Sequence, residues 1–311
     1  MRIAVIGAGG VGGMLAARLG AAGHEISLLA RGSHLAAIRE AGLRLVTPAE
    51  TVELRPAVVS DRGEDLPEAD LVIVAVKAQD LDGAADQMAR AMAGGAPALP
   101  FLNGVEATDR LAARFGADRV LIGIARISAH IEAPGVVRQV TPGATYTIGT
   151  AAGRQDDEQV REIRATFHAA GITVPESADV RVDLWTKFAA LSAFSGVTAG
   201  ARCTAGALKT TPALEALYLR LAGEVTELGR AEGIALRDDL PRRMLDFARG
   251  LPDEMRASLA HDLDAGKALE IDWLAGAVPR LGARHGLAAP ASETVAALLE
   301  PWKHGARGGG K

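Results

Sequence analysis

The first candidate for chemistry is a lysine set inside an apolar stretch. Lys187 lies in LWTKFAALSAFSGV, residues 184–197, and a lysine there must either snorkel to solvent or line a cleft. Burying an ammonium makes its proton easier to give up, which is what a general acid needs near neutral pH. Glu270, in KALEID, could accept a hydrogen bond from a substrate hydroxyl or pair with Lys187. Three positions after Lys267, it could equally be an exposed partner in a helical charge pair. Lys77 follows the apolar run LVIVAV, and Asn103-Gly104 follows APALPFL. Ligands bind at such carboxyl ends of strands in open parallel sheets. Taken singly, Lys77 reads as a solvated helix start and Asn103-Gly104 as a turn; their matched positions favour a shared binding role.

A second constellation lies near the N-terminus. The run RIAVI is followed at once by GAGGVGG, which places Gly7, Gly9 and Gly12 in a G-x-G-x-x-G pattern, with Gly10 and Val11 in the same turn. Gly7 permits the tight turn, Gly9 lets backbone approach a pyrophosphate, and Gly12 allows close helix–strand packing. The helix N-terminus adds unpaired N–H groups and a positive dipole end for phosphates. The alternative is an ordinary flexible turn, but a strand before it and a helix after it give the dinucleotide reading its force. An NAD site usually carries an acid about 20 residues beyond the glycines. Here the second strand ends in Ala30-Arg31-Gly32. A guanidinium can pair with a 2′-phosphate, so NADPH is the expected cofactor. Arg31 as a solvated loop charge is the competing explanation.

These residues require particular elements to hold them. Strand, glycine turn, helix over 14–19 and strand over 25–29 open a βαβ unit. Further buried strands are expected at 71–76, 98–102 and 120–124, with helices over 81–92 and 105–115 between them. Residues 136–149 alternate and suggest a hairpin-type extension of the same sheet. Beyond about Asp179 strand signals stop. Leu214, Leu217, Leu221, Val225 and Leu228 mark one helix face, opened by Thr211-Pro212 and closed by Gly233. Another helical stretch is expected over 264–277. The expected fold is an α/β Rossmann-type N-terminal domain with a parallel-sheet core, followed by an all-α C-terminal domain. The boundaries fall at 1–178 and 179–303, with a disordered tail over 304–311 and a cleft between the domains.

Composition narrows the function classes. The chain has 49% hydrophobic and 23% charged residues, which places it among globular rather than disordered proteins. A formal charge of −4 gives no electrostatic reason for a nucleic-acid or membrane-surface partner. The one cysteine, Cys203, cannot form an intrachain disulfide. The seven histidines are scattered outside any metal-ligand or catalytic spacing, so no metal is expected and they read as surface or structural residues. Arg126 and Arg202 read as solvated charge. The glycines and Arg18 interrupt the apolar N-terminus, so neither a signal peptide nor a membrane helix is expected and the location is read as cytoplasmic.

Taken in order, IGAGGVGG with Arg31, VKAQD around Lys77, LNGVE around Asn103, LWTKF around Lys187 and SLAHDLDAGKALEID over 258–272 resemble the ketopantoate reductase family across essentially the whole chain. The resemblance implies reduction of 2-dehydropantoate to pantoate by NADPH. It assigns Lys187 to protonate the keto oxygen and Glu270 to orient substrate and support the lysine. Asn103 and Ser258 would hold the hydroxyls or carboxylate, and Lys77 would contact cofactor ribose and substrate. The family's helix usually carries asparagines four and eight positions after the lysine, where this chain has Leu191 and Ser195. Those substitutions leave a paralogue acting on another small 2-keto acid as an alternative, and a non-catalytic NADPH-binding protein as a further one. The apolar helical faces would also suit a homodimer.

Overall fold

The computed structural model describes residues 1–306. Two compact units divide the chain: Met1–Leu102 with Glu106–Arg181, and Asn103–Val105 with Val182 onward. The first unit opens with β1 (Arg2–Ile6), α1 (Gly10–Ala21), β2 (Glu25–Leu29) and α2 (Gly32–Ala41). It continues through β3 (Leu43–Val46), β4 (Thr51–Leu54), β5 (Val58–Ser60), β6 (Leu71–Val74), α3 (Leu81–Asp86) and β7 (Ala98–Pro100). After α4 (Ala107–Phe115) come β8 (Leu121–Arg126), β9 (Ala129–Ala133), β10 (Val136–Gln139), β11 (Thr145–Thr150) and α5 (Glu158–Ala169).

The central sheet runs β5-β2-β1-β6-β7 and is parallel throughout. After their exposed first residues, β1 and β2 are buried continuously, and all of β6 is buried. That is why these strands read as unbroken apolar runs: a parallel sheet is covered on both faces. Ile6 at the end of β1 pairs with Leu29 and Val74, so the glycine turn emerges at the carboxyl edge of the central strand.

Several expectations need correction. Residues 136–149 do not extend the central sheet as a hairpin. β10 joins a separate four-stranded sheet, β4-β3-β10-β9, lying parallel to β3 and antiparallel to β9. β11 instead pairs antiparallel with β8, whose link to β7 is a single bridge from Val120 to Ala98. Alternation revealed strand character but not the partner, because pairing is set by distant chain. The helix expected over 81–92 ends at Asp86.

The second unit contains most of α6 (Val180–Gly200), then α7 (Ala205–Thr210), α8 (Pro212–Ala231), α9 (Leu240–Arg249), α10 (Ser258–Asp264), α11 (Ala277–Gly282) and α12 (Pro290–Leu299). Its core gathers Phe188, Val197, Tyr218, Leu221, Val225 and Leu245, all buried. Pro212 opens α8 as its spacing predicts. The helix expected over 264–277 does not form. α10 stops at Asp264, Gly266 takes a positive φ of 61°, and Ala268 makes an isolated antiparallel bridge to His304. Residues 271–273 form one 3₁₀ turn. Glycine in that left-handed region ends a helix at little cost, and the apolar spacing beyond it reflects burial without helical periodicity. Of the expected disordered tail, His304 and Ala306 are held by this bridge and by a hydrogen bond from Ala306 N to the Gly266 carbonyl; residues 307–311 lie outside the described residues. No helix among the described residues is long and apolar enough to cross a membrane.

Candidate active site

The glycine turn after β1 has the geometry its spacing predicts. Gly7 has a φ of 99°, and a Cβ there would lie 2.8 Å from the Ala75 carbonyl oxygen. A Cβ on Gly12 would overlap the carbonyl oxygen of Gly7, so this position admits only glycine without a shift of backbone. Gly9 differs, because a Cβ there would meet nothing within 4 Å. It caps α1 in an extended conformation without a side-chain bond. Gly10, Val11 and Gly12 form the first turn of α1, where N–H groups lack intrahelical acceptors. The turn therefore offers an open approach and a row of amide donors, which fits the pyrophosphate of a dinucleotide. Gly10 has a second reason to be glycine: its Cβ would overlap the Ala129 carbonyl at the start of β9.

Arg31 ends the second strand's loop and caps α2 in extended backbone. Its side chain is 75% exposed and its Nη2 donates to Asp80 Oδ2 at 3.0 Å. Nothing near Arg31 in the sequence points to this partner, which sits in the 3₁₀ turn after β6. Lys77 starts that same turn and is exposed. Asp80 thus holds the guanidinium near the carboxyl ends of β2 and β6, which both flank β1.

The second unit assembles the other group. Lys187 Nζ donates to Asn103 Oδ1 at 3.2 Å, and Asn103 Nδ2 donates to Glu270 Oε2 at 3.1 Å. An ammonium can only donate and a carboxylate only accept, so the asparagine amide is oriented by both neighbours at once. Each member is supplied differently. Lys187 projects from α6, half-buried between the buried Trp185 and Phe188. Asn103 comes from a three-residue segment that groups with the helices. Gly104 makes that approach possible: its φ is 87°, and a Cβ would lie 2.7 Å from the Trp273 carbonyl oxygen. Glu270 precedes the 3₁₀ turn and is only 4% exposed. That burial rules out the exposed charge pair with Lys267, and the Asn103 amide is one of the groups that meet the carboxylate.

The remaining expected residues fall less evenly. Leu191 lies one turn beyond Lys187 on the same face of α6, half-buried against the helical core. Ser195 follows by another turn but has no exposed surface, and its Oγ has no hydrogen-bond partner among the described residues. Ser258 is exposed at the first residue of α10. No group of three or more His, Cys, Asp or Glu among the described residues could hold a metal ion.

Two family models match the chain in order. The family model described as ketopantoate reductase PanE/ApbA matches residues 3–153, and its C-terminal counterpart matches 179–303. The chain is 32% identical to a 2-dehydropantoate 2-reductase of Halobacterium salinarum, covering 96% of this chain and 98% of the relative. Another 2-dehydropantoate 2-reductase, from Mesorhizobium japonicum, is 30% identical over 96% and 97% of the two chains. Among solved structures, a PanE/ApbA family ketopantoate reductase from Ralstonia eutropha superposes with a TM-score of 0.87 at 32% identity, covering 97% of this chain and 98% of that one. With both units matched in order and at nearly full length, the chain belongs to the ketopantoate reductase family, oxidoreductases acting on CH–OH groups.

Proposed function

We propose that this protein reduces a small 2-keto acid with NADPH, and that ketopantoate is the substrate. The observation that carries this reading is the Lys187–Asn103–Glu270 chain of hydrogen bonds. Binding alone needs no such arrangement, since a buried carboxylate is costly to maintain. A proton donor needs it, because its ammonium must be held in one place. This argues against the non-catalytic alternative.

The glycine turn of Gly7, Gly9, Gly10, Val11 and Gly12 would hold the pyrophosphate, and Arg31 the 2′-phosphate. Lys77 and Asn103 would bind ribose hydroxyls. A bound nicotinamide supplies the hydride. As the C2 carbonyl of the keto acid becomes an alkoxide, negative charge grows on one oxygen. The Lys187 ammonium stabilises that charge and then transfers a proton from Nζ to it, leaving a neutral amine that regains its proton from water. Glu270, acting through Asn103, keeps the lysine directed. Asn103 and Ser258 would take substrate hydroxyl or carboxylate groups.

A second reading is favoured by one observation. Leu191 puts an apolar side chain on the Lys187 face of α6, where it can neither donate nor accept, and the buried Ser195 gives little in exchange. A site that lacks a polar partner for a hydroxyl loses discrimination in its favour. A 2-keto acid with a purely apolar branch would then be preferred. Steady-state NADPH oxidation by the purified protein, with ketopantoate beside branched 2-keto acids lacking the hydroxyl, separates the two. The first reading expects the highest kcat/KM for ketopantoate. If another keto acid leads, Leu191→Asn should raise ketopantoate turnover, and no gain would remove Leu191 from the explanation.

A further inference from the structure

His34 is the third residue of α2 and is 9% exposed. Both of its ring nitrogens are engaged. Nε2 lies 2.9 Å from the carbonyl oxygen of Ala8, inside the glycine turn, and Nδ1 lies 3.0 Å from the backbone nitrogen of Gly135. A carbonyl only accepts and a backbone N–H only donates, so these partners select one form of the ring: neutral, with its proton on Nε2. Gly135 closes the β9–β10 hairpin with a φ of 77°, and its own carbonyl accepts from Arg44 N at 2.9 Å. The same hairpin meets α1 elsewhere, since a Cβ on Gly13 would lie 2.7 Å from Val137 Cγ2.

The Ala8–Gly9 peptide is planar and trans, so its carbonyl and its N–H point in opposite directions. Drawing the Ala8 carbonyl to His34 therefore turns the Gly9 N–H away from the ring, at the position where nothing lies within 4 Å of a Cβ. We propose that His34 is a positioning residue for dinucleotide binding: it fixes the orientation of the Ala8–Gly9 peptide and ties the glycine turn to the β9–β10 hairpin. The proposal rests on a dinucleotide occupying this turn.

A protonated ring would set Nδ1–H against the Gly135 N–H, so the link depends on the neutral form. Burial, opposed by the Ala8 bond, lowers the His34 pKa from its ordinary value. The charged groups on surrounding elements are mostly engaged with one another. Arg31, just before α2, bonds Asp80; on α2 Arg39 bonds the Val59 carbonyl and Glu40 lies in the last turn. On the hairpin, Glu132 and Arg138 bond each other beside His130; Arg44 lies on β3 and Glu53 on β4. None of them figures among the causes that shift His34.

The test is dinucleotide affinity of the full-length protein, measured by fluorescence titration with NADPH and with NADH, alongside kcat at saturating cofactor. His34→Phe keeps a planar ring but removes both of its hydrogen bonds, and loss of the one that orients the Ala8 carbonyl should raise Kd about three- to tenfold. The factor should be the same for both dinucleotides, because the turn faces the shared pyrophosphate, and kcat should stay within about twofold. His34→Gln, which restores a donor and an acceptor, should recover part of the affinity. As the pH falls below the ordinary histidine range, through the lowered pKa of His34, the wild type should lose affinity more steeply than His34→Phe, which carries only the ligand's own titration. A folded His34→Phe protein with unchanged Kd would overturn the proposal, as would a loss confined to thermal stability. Should that variant not fold, the glutamine variant and the wild-type pH profile decide it. Wild-type protein that binds neither dinucleotide would remove the cofactor reading of the turn instead.

Discussion

The two regions that carry the chemistry are built in opposite ways. The glycine turn is contiguous: Gly7 to Gly12 lie in six consecutive residues between β1 and the first turn of α1. The Lys187–Asn103–Glu270 group draws on residues separated by 84 and 167 positions. In the turn, Gly7, Gly10 and Gly12 lack side chains because backbone fills the place, while Gly9 leaves open space. In the helical unit each side chain is present because another one orients it. A binding site for a large, charged ligand can be made from amides and empty space, whereas a proton donor has to be held by partners.

The sharpest way to break this contrast is Lys187→Ala. Removing a general acid typically costs about 10²- to 10⁴-fold, and that loss should appear in kcat with the KM for the dinucleotide nearly unchanged. Lys187→Arg should be almost as damaging, because a guanidinium keeps the positive charge but does not give up its proton. Single-turnover reduction of the keto acid reads both. If the arginine variant retained most of its kcat, Lys187 would act only as a charge and the proton would come from elsewhere.

This difference also explains what the sequence could reveal. Gly7 and Gly12 were legible because their constraints act within a few residues. The central strands were legible because burial on both faces leaves continuous apolar runs. Lys187 stood out because it interrupts one. Glu270, by contrast, was legible as a candidate only, since its burial depends on the chain leaving helical geometry at Gly266. That break is a single left-handed glycine, which spacing alone does not distinguish from an ordinary helical one. The bridge through Asn103 was out of reach because Gly104 acts by close approach to Trp273, some 170 residues further on. Asp80 was missed for the same reason: nothing near Arg31 in sequence names its partner.

Within the turn, Gly9 and Gly12 should separate stability from binding. Gly12→Ala would push a methyl into the Gly7 carbonyl. Such overpacking costs about 1–3 kcal/mol, so the melting temperature should fall and dinucleotide affinity with it. Gly9→Ala meets no neighbour and sits at a φ of −73°, which alanine adopts freely. Its melting temperature should match wild type while its affinity falls, because the methyl occupies the space a pyrophosphate would approach. Calorimetric scans beside Kd measurements test the pair. Equal losses of stability in both variants would mean that the open space at Gly9 is not what a ligand uses.

The smallest effect is expected at Arg31. Its guanidinium is largely exposed, and its pair with Asp80 resembles surface pairs worth about 0–1 kcal/mol. Arg31→Ala should therefore leave stability within error. Its influence should appear only in the choice of cofactor. With NADPH the variant loses a charge-assisted partner for the 2′-phosphate, and kcat/KM should fall by up to about tenfold. With NADH, which has no phosphate there, little should change. Asp80 adds a further condition. One Nη of the guanidinium already serves the carboxylate, so the phosphate must share the fork or displace the acid, and like charges oppose that sharing. Asp80→Asn should consequently shift preference further towards NADPH, and raising the salt concentration should shrink both effects. Preference ratios that stay constant across wild type, Arg31→Ala and Asp80→Asn would show that this pair plays no part in cofactor choice, which is then made at another residue.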